Sequence, residues 1–402
     1  MSLFALPVAM RFPLALVLLE STLYLSQDMY LPALPLVQRD FGVSAAQAQS
    51  TFSVWLIGAT ALQLLAGPLS DRHGRRAVLL GSGALFALAS VGCAMPLGFV
   101  AFQLMRLLQG CALCGVLVAG YASVHETLGT QQAIRTQAWM SAITVMAPAL
   151  GPLLGAALLL HLRWPTLFAL LALLALLACA LLHRWMPETV DTAAAAPLSL
   201  RASVAAYRAL LRRRDVRLPL LTGCLILGAL LSWNVAGPFV LRGGAHAYVL
   251  AQAWLYGMFM LGTRVVARHV ARRGPYALIR SALRLCLAGG VLAGASAWLR
   301  LPEWCTVGLF GLYLMAGGML FAPLIRVLLE RGSQASQPMG MSMALISTGL
   351  DLAAVLCTLA VAWAGVASLR SFTLLAALLA AAAWALGRRA LHPLDAADAG
   401  HA

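Results

Sequence analysis

What most constrains this chain is a recurrence: twelve apolar runs of about 20 residues, separated by short polar breaks. A helix rises about 1.5 Å per residue, so each run is long enough to cross the ~30 Å hydrocarbon layer of a bilayer. The runs fall near 12–36, 48–67, 77–96, 99–122, 137–160, 164–184, 217–241, 248–267, 277–299, 304–328, 338–364 and 369–387. Of the 402 residues, 62% are hydrophobic and only 10% charged, whereas about a quarter of a soluble domain is charged. The expected fold is an all-α integral membrane protein with twelve transmembrane helices in two six-helix bundles. The bundles occupy 1–184 and 217–402, the second ending in a short polar tail, with a cytoplasmic central loop over 185–216. Transporters built from repeated helix sets place their substrate site near mid-membrane between the repeats.

A net charge of +15 raises the question of nucleic acid, and the positions of the cations answer it. Every basic residue is arginine, and the arginines gather in alternate loops: Arg72, Arg75 and Arg76; seven between Arg184 and Arg217; Arg268, Arg272, Arg273 and Arg280; Arg388 and Arg389. The intervening loops hold Arg39, Arg163, Arg242, Arg300 and Arg370. By the positive-inside rule both termini and the central loop face the cytoplasm. The charge therefore reports orientation and contact with anionic membrane lipids, and nucleic acid is not a partner. The stretch 198–214 reads either as an amphipathic helix at the membrane surface or as a solvated tether. Most of the eight cysteines sit inside apolar runs, which implies no disulfide framework. Cys111 and Cys114 form a CxxC inside an apolar helix without a second ligand pair, so no metal or cofactor is expected. The first run is too long, and too acidic, for a cleavable signal.

Within the first run, Glu20, Tyr24 and Asp28 recur every four residues. At about 100° per residue they form one stripe on one helix face, with the carboxylates about 12 Å apart. An acid in hydrocarbon costs several kcal/mol and persists where it faces a polar cavity or a partner. The stripe predicts a transport cavity in which at least Asp28 gains and loses protons; a structural carboxylate neutralised in place is the alternative. Arg106, on the fourth run, reaches a depth similar to that of Asp28 when both helices are counted inward from the same surface. A guanidinium and an apolar cavity act on a carboxylate in opposite directions, which leaves Asp28 poised to exchange a proton. Gln109 and Leu113 follow Arg106 on its helix face.

Three further segments carry recognisable patterns: GPLSDRHGRR (Gly67–Arg76), LMRLLQG (Leu104–Gly110) and APALGPLLG (Ala147–Gly155). In the first, the glycines Gly67 and Gly74 suit a tight turn, Asp71 can cap a helix N-terminus of the other half, and Arg72, Arg75 and Arg76 can pair with acids or lipid headgroups. In the third, Pro148 and Pro152 remove backbone donors from one face. Gly151 and Gly155 offer a small-xxx-small surface for close approach, which makes this helix a candidate pivot. The loop after the second run, DRHGRRAVLL, is echoed after the eighth by ARHVARRGPYALI, a trace of duplication that lacks the acid.

These three segments resemble motifs A, B and C of the major facilitator superfamily, the third being the mark of its antiporter branch. With LYLSQDMYLP (Leu23–Pro32), GYASVHET (Gly120–Thr127) and MPET (Met186–Thr189), the first half is similar to the Bcr/CflA-type drug/proton antiporters, specifically the MdfA-like multidrug facilitators. In the second half the likeness is weaker and is carried by helix count, PLIRVLL (Pro323–Leu329) and the Met-rich PMGMSM (Pro338–Met343). The resemblance implies a proton-coupling set of Asp28, Glu20 and Arg106, and a cavity lined by Tyr24, Gln27, Gln109, Leu113 and Tyr121. It also implies a cytoplasmic latch built on the Gly67–Arg76 loop, with Glu126 as a matching acid.

Asn234 on the seventh run is a candidate cavity hydrogen-bonder, and Asp351 in the eleventh has no counterpart in the family pattern. It is either a further proton or cation site or a partner of Arg326 or Arg264. The function implied is a proton-coupled antiporter of the bacterial inner membrane, monomeric, exporting amphipathic drugs such as lipophilic cations and neutral chloramphenicol-like compounds. A dedicated exporter of one metabolite, such as a siderophore or sugar, is the alternative. The chain has no GxxxxGK loop for ATP, no histidine-rich metal set and no nucleophile motif, so a pump driven directly by nucleotide or a membrane enzyme is disfavoured. Protons as coupling ion replace any cofactor.

Overall fold

The computed structural model describes residues 8–128, 130–187, 208–209, 211–333, 339–364 and 368–391. The stretch 198–214, read above as a surface helix or a tether, and the tail after Leu391 fall largely outside them. The chain divides into two compact units, Met1–Leu198 and Ser199–Ala402.

In the first unit, α1 (Val8–Asp28) is followed by a single 3-10 turn (Leu31–Ala33) and a short α2 (Leu34–Phe41). The first apolar run was expected as one helix over 12–36, and it instead breaks directly after Asp28. The physical cause lies in Pro32 and Pro35: neither has a backbone donor, so the carbonyls of Asp28 and Leu31, four residues earlier, lose the helical partner they would otherwise have, and the chain passes through a 3-10 turn. The second run is also divided, into α3 (Ala45–Ala61) and α4 (Gln63–His73). Ser44 opens α3 with a reciprocal capping box to Gln47, which satisfies two otherwise orphaned donors. Then come α5 (Arg75–Ala94), α6 (Phe99–Thr127), α7 (Thr130–Leu159) and α8 (Trp164–Trp185). α1 packs on α6, α7 and α8, while α5 is set between α6 and α8.

The second unit holds α9 (Arg214–Val240), α10 (Gly244–Trp298), α11 (Glu303–Ser333), α12 (Met339–Trp363) and α13 (Leu369–Leu391). α10 is two membrane-length arms joined at Gly274, whose φ of 69° and ψ of 164° are not helical. The equivalent joint of the first unit is Gly74, at φ 88° and ψ 148°, between α4 and α5. The two joints fall within the two halves of the sequence echo, DRHGRR and ARRGPY, and only glycine enters such a conformation without a Cβ penalty. The duplication is thus repeated in the backbone.

Nine helices among the described residues are long and apolar enough to cross a membrane. α1, the α3–α4 pair and α7 supply the other three spans, which makes six in each unit.

Candidate functional site

The end of α1 positions the first candidate site. Glu20 and Asp28 are both fully buried, and neither carboxylate has a hydrogen bond of ordinary geometry to a described residue. Tyr121 of α6 is the polar neighbour of Glu20, and Arg106 is close enough to act on the charge of Asp28. Asp28 and Arg106 are nevertheless not joined as an ion pair. The Nη1 of Arg106 donates to the Ser26 carbonyl at 3.0 Å and to Gln109 Oε1 at 2.7 Å. Gln109 Nε2 in turn donates to Ser90 Oγ at 2.7 Å on α5. The guanidinium carbon lies 4.3 Å from the Tyr30 ring centroid and 5.7 Å from that of Phe168. A buried cation is therefore oriented by two acceptors and two ring faces, while the N–H donors on Nε and Nη2 have no hydrogen-bond partner among the described residues.

This geometry shifts emphasis within the expected set. Gln109 is fully buried and occupied in holding Arg106, and Leu113 is buried in the core. Tyr24 and Tyr121 are half-buried, and Gln27 is nearly covered. The site also contains residues that were not singled out from sequence: Tyr30, Thr51, Ser90, Phe168 and the Ser26 carbonyl. Tyr30 Oη is 3.0 Å from Thr51 Oγ1, which locks the chain just beyond the break after Asp28. An aromatic cluster of Tyr30, Phe168, Phe102, Trp164 and Phe41 buttresses it, with neighbouring centroids 5.5–6.2 Å apart. Proximity in sequence to Asp28 was the one available sign for Tyr30.

α7 meets the same point from the other side. A Cβ placed on Gly151 would sit against the Asp28 Cβ at 2.8 Å, and one on Gly155 would collide with the Met29 carbonyl. The two glycines therefore let α7 lie directly on the backbone that carries Asp28. The helix continues through both Pro148 and Pro152.

The expected latch differs from its sequence reading. Gly67 lies inside α4 rather than in a turn, because the helix runs on to His73 and the chain turns only at Gly74. The side chain of Asp71 is outside the described residues. Arg75 pairs with Glu126 at 3.2 Å and donates to Ser70 Oγ at 3.0 Å, and Arg76 donates to the His183 carbonyl at 2.5 Å. α4, α5, α6 and α8 are thereby tied at one end, with Arg72 exposed.

In the second unit Asn234 is the centre of a buried network. Gln252 Nε2 donates to Asn234 Oδ1 at 2.9 Å, Asn234 Nδ2 donates to Tyr256 Oη at 3.2 Å, and Trp233 Nε1 donates to Gln252 Oε1 at 2.8 Å. Tyr248 Oη reaches the Asn234 carbonyl at 3.4 Å. Tyr248, Gln252 and Tyr256 repeat the spacing of four that marks Glu20, Tyr24 and Asp28, a signal in the eighth run that could have found them. Asp351 on α12 has no ion pair among the described residues. Arg326 pairs instead with Glu330 at 2.8 Å, and Arg264 is exposed, so neither proposed pairing forms.

Comparison with known proteins agrees with this arrangement. Residues 16–358 match the model of the Major Facilitator Superfamily. The chain is 34% identical over 359 residues to the "Multidrug transporter MdfA" of Edwardsiella ictaluri, covering 86% of each chain. It is 33% identical over 325 residues to the "Multidrug resistance protein MdtM" of Salmonella typhimurium, covering 78% of this chain and 77% of that one. Among solved structures, the xylose transporter XylE from E. coli superposes with a TM-score of 0.72 at 15% identity, covering 94% of this chain and 96% of that one. With six spans in each unit, a glycine joint repeated in both, and a family match that runs from α1 into α12, this chain belongs to the Major Facilitator Superfamily and is a multi-pass membrane transporter, not an enzyme.

Proposed function

We propose that the protein exports amphipathic drugs across the bacterial inner membrane by alternating access, each export step being exchanged for inward protons at Asp28. The observation that carries this reading is a fully buried carboxylate at the broken end of α1 that no described residue pairs as an ion, beside a guanidinium whose hydrogen bonds go elsewhere. A charge so placed is costly in a membrane unless a proton or a visiting cation discharges it. Either one excludes the other, and that exclusion is the elementary step of antiport. Glu20, about two turns earlier on the same stripe of α1, offers a second acidic group to a lipophilic cation, and Tyr24 and Tyr121 supply aromatic faces beside it.

Promiscuous recognition is supported by the printed names of the relatives, multidrug transporter and multidrug resistance protein. On this reading the Arg75–Glu126 tie belongs to a cytoplasmic latch, and the arginine-rich ends of both units face the cytoplasm.

The test uses everted vesicles acidified inside. Adding a lipophilic cation, or a neutral compound such as chloramphenicol, releases protons from vesicles holding the native chain. Asp28→Asn abolishes that release for every compound. If the release survives Asp28→Asn undiminished, the coupling assignment fails; a response to a single compound alone would replace multidrug export with a dedicated exporter.

A further inference from the structure

Three arginines that are far apart in sequence meet at one end of the second unit. Arg242 follows α9, Arg300 follows α10, and Arg370 begins α13; all three line one cavity of about 1050 Å³. Glu303, at the start of α11, is the one acid among the described residues that line the cavity, and it is tied to Arg242 by a 3.5 Å ion pair and by the Arg242 backbone N–H at 3.2 Å. Among the described residues, the guanidinium groups of Arg300 and Arg370 have no carboxylate paired with them. A cation after a helix C-terminus suits the macrodipole, which accounts for Arg242 and Arg300 singly. It does not account for Arg370, which stands in the first turn of α13, where the dipole opposes a cation. Arg370 Nε donates to the Ala297 carbonyl at 3.0 Å, the same carbonyl that accepts from the Arg300 backbone N–H at 3.3 Å. Arg300 has a φ of 58°, in the left-handed region that favours glycine or asparagine.

A second cavity of about 560 Å³ shares Leu241 and Glu303 with the first and is otherwise apolar. Its lining comes from the first arm of α10, with Ala247, Ala251 and Trp254, and from α11, with Trp304 and Gly308. Both tryptophans are largely exposed, as side chains in the interfacial belt of a membrane protein are. A cationic chamber that shares wall residues with an adjoining apolar groove has the polarity profile of an anionic amphiphile. We infer that this end of the second unit binds an anionic glycerophospholipid, with its phosphate between Arg300 and Arg370 and one acyl chain in the α10–α11 groove.

The test is native mass spectrometry and thermal unfolding of the delipidated full-length protein. The probes are phosphatidylglycerol, phosphatidylcholine and inorganic phosphate. Phosphatidylglycerol is expected to be retained and to raise the unfolding temperature by several degrees, with phosphatidylcholine far weaker. Arg300→Asn with Arg370→Gln should weaken retention at least tenfold. Asparagine suits the left-handed backbone at 300, so misfolding is not built into that variant. Gly308→Leu should weaken it as well, by filling the groove; a Cβ there meets no atom within 4 Å. Arg388→Gln with Arg389→Gln, at the opposite end of the unit, should leave this lipid bound. If inorganic phosphate protects as well as the lipid and Gly308→Leu has no effect, the site takes a small anion and the lipid assignment falls. If every variant binds like the native chain, the retained lipid is a general annulus and the site does not exist.

Discussion

Arg106 shows how much of this protein turns on a single side chain. Its Nη1 serves both the Ser26 carbonyl and Gln109, and its plane lies over Tyr30. Lysine keeps the charge and loses the planar fork and the ring contact. Each charge-assisted hydrogen bond in a buried site is worth about 1.5–3 kcal/mol, so Arg106→Lys should reduce export roughly tenfold or more, measured as initial rates in vesicles. Expression and unfolding temperature should change far less. A lysine variant that exports at the native rate would mean that Arg106 acts only as a point charge. From sequence, Arg106, Asp28 and Glu20 stood out because a charge inside an apolar run is conspicuous. Tyr30, Thr51 and Ser90 did not, because an uncharged polar residue in a membrane helix is commonplace and gains a role only from what packs beside it.

At the scale of the element, the decisive contact is α7 on the broken end of α1. The Met29 carbonyl occupies the place where any side chain at 155 would begin. Gly155→Ala must therefore push α7 away from α1, a strain of about 1–3 kcal/mol by analogy with overpacked cores. It should lower the unfolding temperature and slow transport together. Gly81→Ala on α5, where a Cβ meets nothing within 4 Å, should leave both unchanged or slightly raise stability. Equal effects at the two positions would remove the close-approach account. The GPxxG pattern of α7 was legible in sequence as a packing surface; that its partner is the backbone of Asp28 itself was not. The break after Asp28 was present in the sequence as Pro32 and Pro35. Unbroken hydropathy across 12–36 concealed it, since apolarity says that a segment is in the membrane and says nothing of where its helix stops.

At the scale of the whole molecule, the arginine asymmetry predicts which ends face the cytoplasm. In a cysteine-free background, Arg300→Cys should react with an impermeant maleimide in intact cells, and Arg389→Cys only in everted vesicles; the reverse pattern would invert the topology. By itself the sequence determined that the chain spans a bilayer, roughly where each span lies, which loops hold the positive charge, and that acids sit within the first span. Those properties are sums over consecutive residues, because the bilayer acts on each segment according to its own length and polarity. Only the tertiary structure decided that Arg106 is held by Ser26, Gln109 and Tyr30 rather than by Asp28, that Arg326 pairs with Glu330 rather than with Asp351, and that Arg242, Arg300 and Arg370 share one chamber. Such outcomes depend on which helices become neighbours and at what depth, and side chains separated by tens of residues meet only after that packing is complete.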